Sequence, residues 1–510
     1  MSINFIPNDP LVTALPMRRA TARPDRRPDR AGFEVGGADP QAIYQPGSTG
    51  FLRWQSRQAA ILAVQAWERV LGVPLPSWAP DAADAHRLPL LPDAGDDVNA
   101  YYDRQSVSFF HHQIGADVVF SGSSTDVVSH EVGHAILDAA RPDLWFTNFI
   151  EVGGFHEAFG DVTAILTALS DRRTRVALLG ESPDLGTAND IEATAEQLSD
   201  AIRRIAGPTH PASKPRHALN TFVWQLPSTM PRTGGPDVMI AEVHSIARIM
   251  SGAFYDVLRG VLAAGADHSE AGLWKAARLT GRLFHKAART APQVPRFFQS
   301  VGRAMVLADQ QAHGGANREI IRDAFGQHGI VLGTGALLSP EVALAGPPPV
   351  ADVRAAEAEV AESTRRDLRQ RLGVPRSTAM VVTAVDMAGG LAKVKYRTPV
   401  PLDGIHDQLA GVVAMADVQV LAGESGGAPA VLGAMPHADL DAEAVREFAA
   451  SLVANEQVDL GGGPRSRRRR GAVAAPSSAD RRVTGLPTHH IATRGRARVL
   501  ERARFACPGC

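Results

Sequence analysis

The stretch from Ser129 to Leu137 reads Ser-His-Glu-Val-Gly-His-Ala-Ile-Leu and restricts the fold more than any other part of the chain. Residues four apart on an α-helix lie on one face about one turn apart, so His130 and His134 can bind one Zn²⁺ through neutral imidazoles. Glu131 points about 100° away from that pair, toward the position that the histidines leave open. A carboxylate there is poorly placed to bind the metal and well placed to accept a proton from water. The pattern predicts a helix that carries a metal site.

A second helical pattern begins at residues 153–161, which read Gly-Gly-Phe-His-Glu-Ala-Phe-Gly-Asp, and its apolar positions continue to Leu169. Glu157 and Asp161 are four residues apart and therefore lie on one face of this helix. Glu157 can supply a third metal ligand. Asp161 can accept a hydrogen bond from the distal N–H of a ligand histidine, which fixes the tautomer of that ring.

Upstream, Asn99 and Ala100 begin the sequence Asn-Ala-Tyr-Tyr, which precedes a strand-like run at residues 107–110. With Asp126-Val-Val before the His-Glu-x-x-His motif and Glu-Ala-x-x-Asp after it, the sequence resembles the thermolysin-like zinc metallopeptidases from about residue 45 to 332. The resemblance implies an α+β fold, in which a β-rich N-terminal lobe and an α-helical C-terminal lobe meet along the motif helix. It also implies that a peptide substrate binds to the edge strand that carries Asn99 and Ala100.

Two further stretches match the same family. Val243 and His244, followed by Ser-Gly at 251–252, resemble the stretch that supplies a histidine to stabilise the oxyanion. The sequence Asp-Ala-Ile-Arg at 200–203 resembles the stretch whose arginine hydrogen-bonds a substrate carbonyl. The resemblance thus implies that Arg203 lies beside the pocket that selects the residue after the cleaved bond. A solvated arginine on a helix is the alternative for Arg203.

Three positions depart from the family pattern. Asn148 falls near the position of a tyrosine that helps to hold the oxyanion, and His156 replaces an asparagine before the glutamate ligand. Ala168 replaces a calcium-binding glutamate, although Asp126 and Asp190 match other calcium ligands. We therefore expect calcium binding to be weakened and the zinc site to be retained.

The resulting expectation is a zinc endopeptidase that hydrolyses peptide bonds of a protein or peptide substrate by metal-activated water, with Glu131 as general base. We expect a hydrophobic residue after the cleaved bond. The alternative is a zinc-retaining regulatory or binding protein with little turnover, whose C-terminal region engages a partner. A third hypothesis gives the main task to the C-terminal region as a nucleic-acid or partner module, since residues 467–470 are all arginine.

Composition narrows these alternatives. The formal net charge of -1 gives no overall electrostatic reason to expect a nucleic-acid partner. No apolar run is long enough to cross a membrane, and the first thirty residues lack the apolar core of a secretory signal. We therefore expect a cytoplasmic protein by default, with export by a signal-independent route as the alternative. Cys507 and Cys510 are the two cysteines, so no disulfide framework is expected, and their Cys-x-x-Cys spacing supplies half of a structural zinc site.

Composition shifts also divide the chain. Helices are expected at residues 53–71, 271–288, 294–312, 316–328 and 441–453. The predicted units are an irregular N-terminal segment at 1–45, a thermolysin-like domain at 46–333, a linker at 334–351, a small α+β domain at 352–460 and a basic, disordered tail at 461–510.

Overall fold

The fold is mixed α+β, as predicted. The structure is a computed structural model, which describes residues 2–37, 39–333, 362–386, 391–425, 428–431, 436–460 and 486–506. Among these residues, no helix is both long enough and apolar enough to cross a membrane. The predicted linker at 334–351 lies outside the described residues, as do Cys507 and Cys510.

The helices are labelled in chain order: α1 (Thr49–Leu71), α2 (Thr125–Ala140), α3 (Ile150–Leu169), α4 (Arg172–Glu181), α5 (Glu196–Ala206), α6 (Val243–Ala264), α7 (Glu270–Thr290), α8 (Phe297–His313), α9 (Arg318–Gln327), α10 (Glu362–Arg371) and α11 (Ala438–Ala454). The helices predicted from apolar spacing are present within a few residues of their expected ends. The polar composition of residues 171–190 favours a loop, but α4 occupies part of this stretch. Asp171 caps α4 by accepting a hydrogen bond from the backbone N–H of Thr174, which is a typical helix start.

The strands are β1 (Ser2–Phe5), β2 (Arg18–Thr21), β3 (Gly32–Val35), β4 (Arg87–Leu91), β5 (Ala100–Tyr102), β6 (Val107–Phe109), β7 (His111–Ile114), β8 (Asp117–Phe120), β9 (Ala193–Thr194), β10 (Arg216–His217), β11 (Met380–Asp386), β12 (Leu391–Pro401), β13 (Val412–Ser425), β14 (Ala428–Val431), β15 (Val458–Asp459), β16 (His489–Arg494), β17 (Ala497–Arg502) and β18 (Phe505–Ala506). The prediction of an irregular segment at 1–45 is wrong in part, because β1, β2 and β3 form there. β3 pairs in parallel with β4, and this pairing is too distant in sequence to be read from local composition.

A five-stranded sheet in the order β18-β5-β6-β4-β3 lies next to α1 and α2. Helix α1 turns its apolar side inward, where the ring of Trp67 stacks on Phe159 of α3 with 4.8 Å between centroids. The indole N–H of Trp67 donates to the hydroxyl oxygen of Thr163. These contacts fix α3 against α1, so that α2 and α3 run side by side through the core of the domain.

A seven-stranded sheet forms the C-terminal part, in the order β11-β12-β13-β17-β16-β15 with β14 paired to β13. Helix α11 packs on this sheet through Val445, Phe448 and Leu452, which are buried. The sheet contacts the helical part directly, because the backbones of Gln293 and Gln419 exchange two hydrogen bonds. Strands and a helix from residues 380–459 therefore pack against the helical part of the chain.

The prediction of a disordered tail at 461–510 is wrong for residues 486–506. These residues form β16, β17 and β18, so the C-terminal domain continues beyond residue 460. β17 pairs in parallel with β13, and β18 joins the five-stranded sheet of the N-terminal part. These strands were not predicted, because their arginine-rich sequence resembles a solvated tail. In the structure, Arg494 of β16 and Glu501 of β17 form an ion pair that keeps their charges on the surface.

Candidate metal centre

Helix α2 is fixed at its start by local sequence. The side chain of Ser124 accepts a hydrogen bond from the backbone N–H of Val127, as expected for a serine N-cap. Asp126 lies in the first turn, where its charge is favourable near the positive end of the helix dipole. The buried residues Val128, Val132 and Ile136 then hold the helix in the core. This packing buries His130, Glu131 and His134 completely.

Two glycines allow α2 and α3 to approach each other closely. A Cβ atom added at Gly133 would lie 2.9 Å from the Cα of Gly160, and one added at Gly160 would lie 2.5 Å from the ring of His130. Neither position has room for a side chain. The close approach brings the imidazole of His130 next to the carboxylate of Glu157.

His130, His134 and Glu157 form a buried group that could bind a metal ion, as predicted. Nε2 of His130 lies 3.3 Å from one carboxylate oxygen of Glu157, and Nε2 of His134 lies 3.8 Å from the other. Two ligand atoms at about 2.1 Å from a tetrahedral ion are about 3.4 Å apart. The spacing of these donor atoms therefore suits a single small cation.

The hydrogen bonding of His134 supports the same conclusion. Its ring is fully buried, and neither ring nitrogen makes a hydrogen bond within the described part of the chain. Burial lowers the pKa of His134 well below its usual value, so the ring is neutral and Nε2 can carry a free lone pair. An unsatisfied buried polar atom is costly, and a metal ion would satisfy this one.

Asp161 orients His130 from the side opposite Glu157. Its carboxylate lies 3.1 Å from Nδ1 of His130 and accepts a hydrogen bond from the hydroxyl of Ser251. Arg216, on β10, donates to both carboxylate oxygens of Asp161. Although burial alone would raise the pKa of Asp161, the charge of Arg216 and the contact with His130 outweigh it and hold the pKa well below its usual range. Asp161 thus remains a carboxylate.

Glu131 is completely buried beside the three donors. Burial and the nearby charge of Glu157 raise the pKa of Glu131 to about 8. A carboxyl group with a pKa near neutrality can both accept and release a proton, which is the requirement for a general base that later acts as an acid.

His244, at the start of α6, also reaches this group. Its Nε2 lies 3.3 Å from a carboxylate oxygen of Glu157, and its Nδ1 lies 2.6 Å from Glu242. Burial lowers the pKa of His244, but the charges of Glu157 and Glu242 outweigh it and raise the pKa to about 9. His244 is therefore a hydrogen-bond donor at neutral pH. Its Nε2 lies 3.1 Å from the carbonyl oxygen of Ala506.

The remaining predicted residues are divided between the site and the surface. Ala100 lies on β5, the strand that pairs with β18, and Asn99 precedes it with its side chain fully buried. Arg203 is not brought to the site, because its side chain is 57% exposed and pairs with Asp200. Arg216 was not identified from the sequence; its side chain is nearly buried and pairs with Asp161.

Two of the three positions that depart from the family pattern make contacts with the C-terminal part of the chain. The side-chain amide of Asn148 donates to the carbonyl of Met415 in the C-terminal sheet. His156 is buried, and its ring stacks on Phe505 at 4.0 Å between centroids. Both residues thus contact the part of the chain that follows residue 400.

A second group that could bind a cation consists of Asp9, Asp126 and Glu196. Of these, sequence analysis named Asp126 only, and Asp190 lies outside the group. Burial, followed by the charges of Asp126 and Asp9, raises the pKa of Glu196 to about 10. Three carboxyl groups this close favour either a bound proton or a bound cation.

Comparison of the sequence with models of protein families finds no match, and comparison with curated proteins finds no significant match either.

Proposed function

We propose that this chain is a thermolysin-like zinc endopeptidase, with Zn²⁺ held by His130, His134 and Glu157. The observation that carries the proposal is the convergence of these three donors with Glu131 buried beside them. Catalytic zinc sites use three protein ligands and leave a position for water or substrate, whereas structural sites use four. Two imidazoles and one carboxylate fit the catalytic class.

The residues around the donors have complementary tasks in peptide hydrolysis. Zn²⁺ bound here would supply a Lewis acid that polarises the substrate carbonyl and lowers the pKa of water. Glu131 would accept the proton of the attacking water and transfer it to the leaving amine. His244 would donate a hydrogen bond to the carbonyl oxygen as negative charge develops there.

Residues that contact a metal ligand, and not the metal itself, would hold that ligand in position. Asp161 fixes the ring of His130, and Arg216 and Ser251 hold the carboxylate of Asp161. Arg216 also lines a cavity of ≈ 590 Å³ next to His244. We therefore infer that Arg216 would contact a substrate carbonyl, the role that sequence resemblance suggested for Arg203.

The proposed substrate is an extended polypeptide, because the side of β5 that does not pair with β6 binds an extended segment, β18, next to His134. A preference for a hydrophobic residue after the cleaved bond remains a prediction from sequence resemblance.

A zinc-retaining binding protein with little turnover is the second candidate. It is favoured by the contact between His244 and the carbonyl of Ala506, since the chain itself then occupies the space next to His244. In this case the C-terminal region would respond to a partner. The arginines at 467–470, which suggested a nucleic-acid module, lie outside the described residues.

The test is digestion of an unstructured protein by the zinc-loaded chain, with and without a chelator, followed by mapping of the cut sites. We expect chelator-sensitive cuts that precede hydrophobic residues. The Glu131→Gln variant is the control for a contaminating peptidase. A chain that binds one zinc ion and cuts nothing would favour the second candidate.

A further inference from the structure

The C-terminal strand β18 lies on the edge of the sheet that faces the metal centre. Phe505 pairs with Tyr102 and Ala506 pairs with Tyr101, in antiparallel orientation, so β18 is an edge strand of the five-stranded sheet. Addition of an extended segment to a sheet edge is a recurring mode of peptide recognition, in which main-chain hydrogen bonds provide affinity for many sequences. β18 is bound to β5 in this way.

The side chain of Phe505 fills a pocket formed by the site itself. Its ring stacks on His134 at 4.7 Å and on His156 at 4.0 Å, and it meets Trp145 edge-on at 5.4 Å. The guanidinium of Arg502 covers the ring at 4.1 Å. Phe505 is 2% exposed. An aromatic side chain buried in such a pocket is a typical anchor of a bound peptide.

Ala506 places a peptide carbonyl at the centre of the site. Its oxygen lies 3.1 Å from Nε2 of His244, and the same nitrogen lies 3.3 Å from the carboxylate of Glu157. Ala506 also lines the cavity of ≈ 590 Å³ to which Arg216 and Arg248 contribute. A second peptide could not bring its own carbonyl to His244 while Ala506 remains there.

We propose that Phe505 and Ala506 are a peptide ligand built into the chain, which occupies the substrate position next to His134 and His244 and must leave before another peptide binds. The proposal rests on the proposed function, since it names the class of substrate and the restraint on that site. The preferred peptide is extended, with an aromatic residue followed by a small residue on the amino side of the reacting carbonyl.

The attachment of β18 makes this ligand effective and removable. The backbone N–H groups of Ala503 and Arg504 donate to the carbonyl of Thr488, so the strand is tethered through β17 to the C-terminal sheet. A ligand held by a short tether has an effective concentration in the millimolar range. β18 itself contains two residues. Its release would break the pairing with β5, the ring contacts of Phe505 and the contact with His244, but no longer strand or helix would have to unfold.

The test measures peptide binding without turnover. All proteins carry Glu131→Gln and are loaded with zinc, and the probe is fluorescein-labelled Ala-Arg-Phe-Ala-amide, the sequence of residues 503–506. A chain that ends at Arg502 is compared with the full chain by fluorescence anisotropy. We expect at least about tenfold tighter binding by the shortened chain, because the tethered competitor is gone. Equal affinities of two folded proteins would overturn the proposal.

A substitution in the full chain provides a second test that does not depend on folding of the shortened chain. Phe505→Asp removes the aromatic anchor, and Val331→Asp, at a residue that is 72% exposed, is the matched control. The proposal expects tighter probe binding for Phe505→Asp and no change for Val331→Asp. Unchanged affinity in Phe505→Asp, with an unchanged melting temperature, would contradict it.

The same substitutions in chains that retain Glu131 separate the two proposals. Faster hydrolysis of a fluorogenic peptide by Phe505→Asp than by wild type supports both. Equal hydrolysis by the two proteins refutes the built-in ligand and leaves the peptidase assignment intact. Tight probe binding by Phe505→Asp without hydrolysis by any protein supports the built-in ligand and refutes the peptidase assignment.

Discussion

A Cβ atom at Gly160 would lie 2.5 Å from the Nδ1 atom of His130. Gly160→Ala should therefore displace the His130 ring from Glu157 and Asp161. We expect zinc affinity to fall at least about tenfold, in the range found when groups that orient a ligand are lost. Competition with a chromogenic chelator measures the change.

Gly326→Ala is the matched control for this substitution. A Cβ atom at Gly326 of α9 meets nothing within 4 Å. Alanine should therefore be tolerated there, with a gain of up to about 1 kcal/mol from helix propensity. Equal zinc affinities in the two alanine variants would show that the close contact between the two helices does not position His130.

Arg216 and Arg203 form a second matched pair. Arg216→Ala leaves the buried carboxylate of Asp161 without its cation, and loss of one partner of a buried ion pair typically costs about 3–5 kcal/mol. Arg203→Ala affects an exposed side chain, so its effect should stay within about 0.5 kcal/mol. Urea unfolding of both variants measures the difference. Similar losses would mean that Arg216 does not hold Asp161 in solution.

Local spacing in the sequence predicted four helical residues of the site, whereas His244 was predicted from the family resemblance. His130, His134, Glu157 and Asp161 follow from helical periodicity, because residues four apart share a face whatever the tertiary fold. No helical periodicity in the sequence placed Arg216 near these residues. It lies on a two-residue strand, and its contact with Asp161 joins positions 55 residues apart in sequence.

The C-terminal strands could not be predicted from local sequence either, because their pairing partners lie still further away along the chain. The partner of Phe505 is Tyr102, and local composition contains no information about a pairing across most of the chain. The arginines around β16 and β17 suggested a solvated tail, since charge runs usually are solvated. Tertiary pairing overrode that local preference.

The carboxylates of Asp9, Asp126 and Glu196 predict a pH-dependent stability. The folded-state pKa of Glu196, about 10, is above the unfolded value of 4.5, so the folded chain holds a proton that the unfolded chain releases. Without divalent cations, this contribution to stability is present below pH 4.5 and is lost as pH rises toward 10. Glu196→Gln should show a smaller decline, as measured by thermal unfolding across pH, because Asp9, whose pKa is also raised by burial and by the charge of Asp126, remains.

With calcium bound, wild type should melt at a higher temperature than Glu196→Gln, the reverse of the order expected at high pH without divalent cations. A cation bound to the three carboxylates would raise the melting temperature of wild type and raise that of Glu196→Gln less. We expect the calcium shift to remain below the zinc shift, because Asp9, Asp126 and Glu196 each bring one oxygen to the group, fewer than the six to eight that calcium prefers. Identical calcium shifts in the two proteins would contradict binding at this group.

The most direct test of the peptidase assignment compares Glu131→Gln with Glu157→Ala, using zinc content and peptide hydrolysis as the two measurements. Glu157 is a proposed ligand, so Glu157→Ala should lose both zinc and activity. Glu131 would act on water alone, so Glu131→Gln should keep one zinc per chain and lose about 10²- to 10⁴-fold in rate, as expected when a positioned general base is removed. Hydrolysis by Glu131→Gln at the wild-type rate would contradict the mechanism.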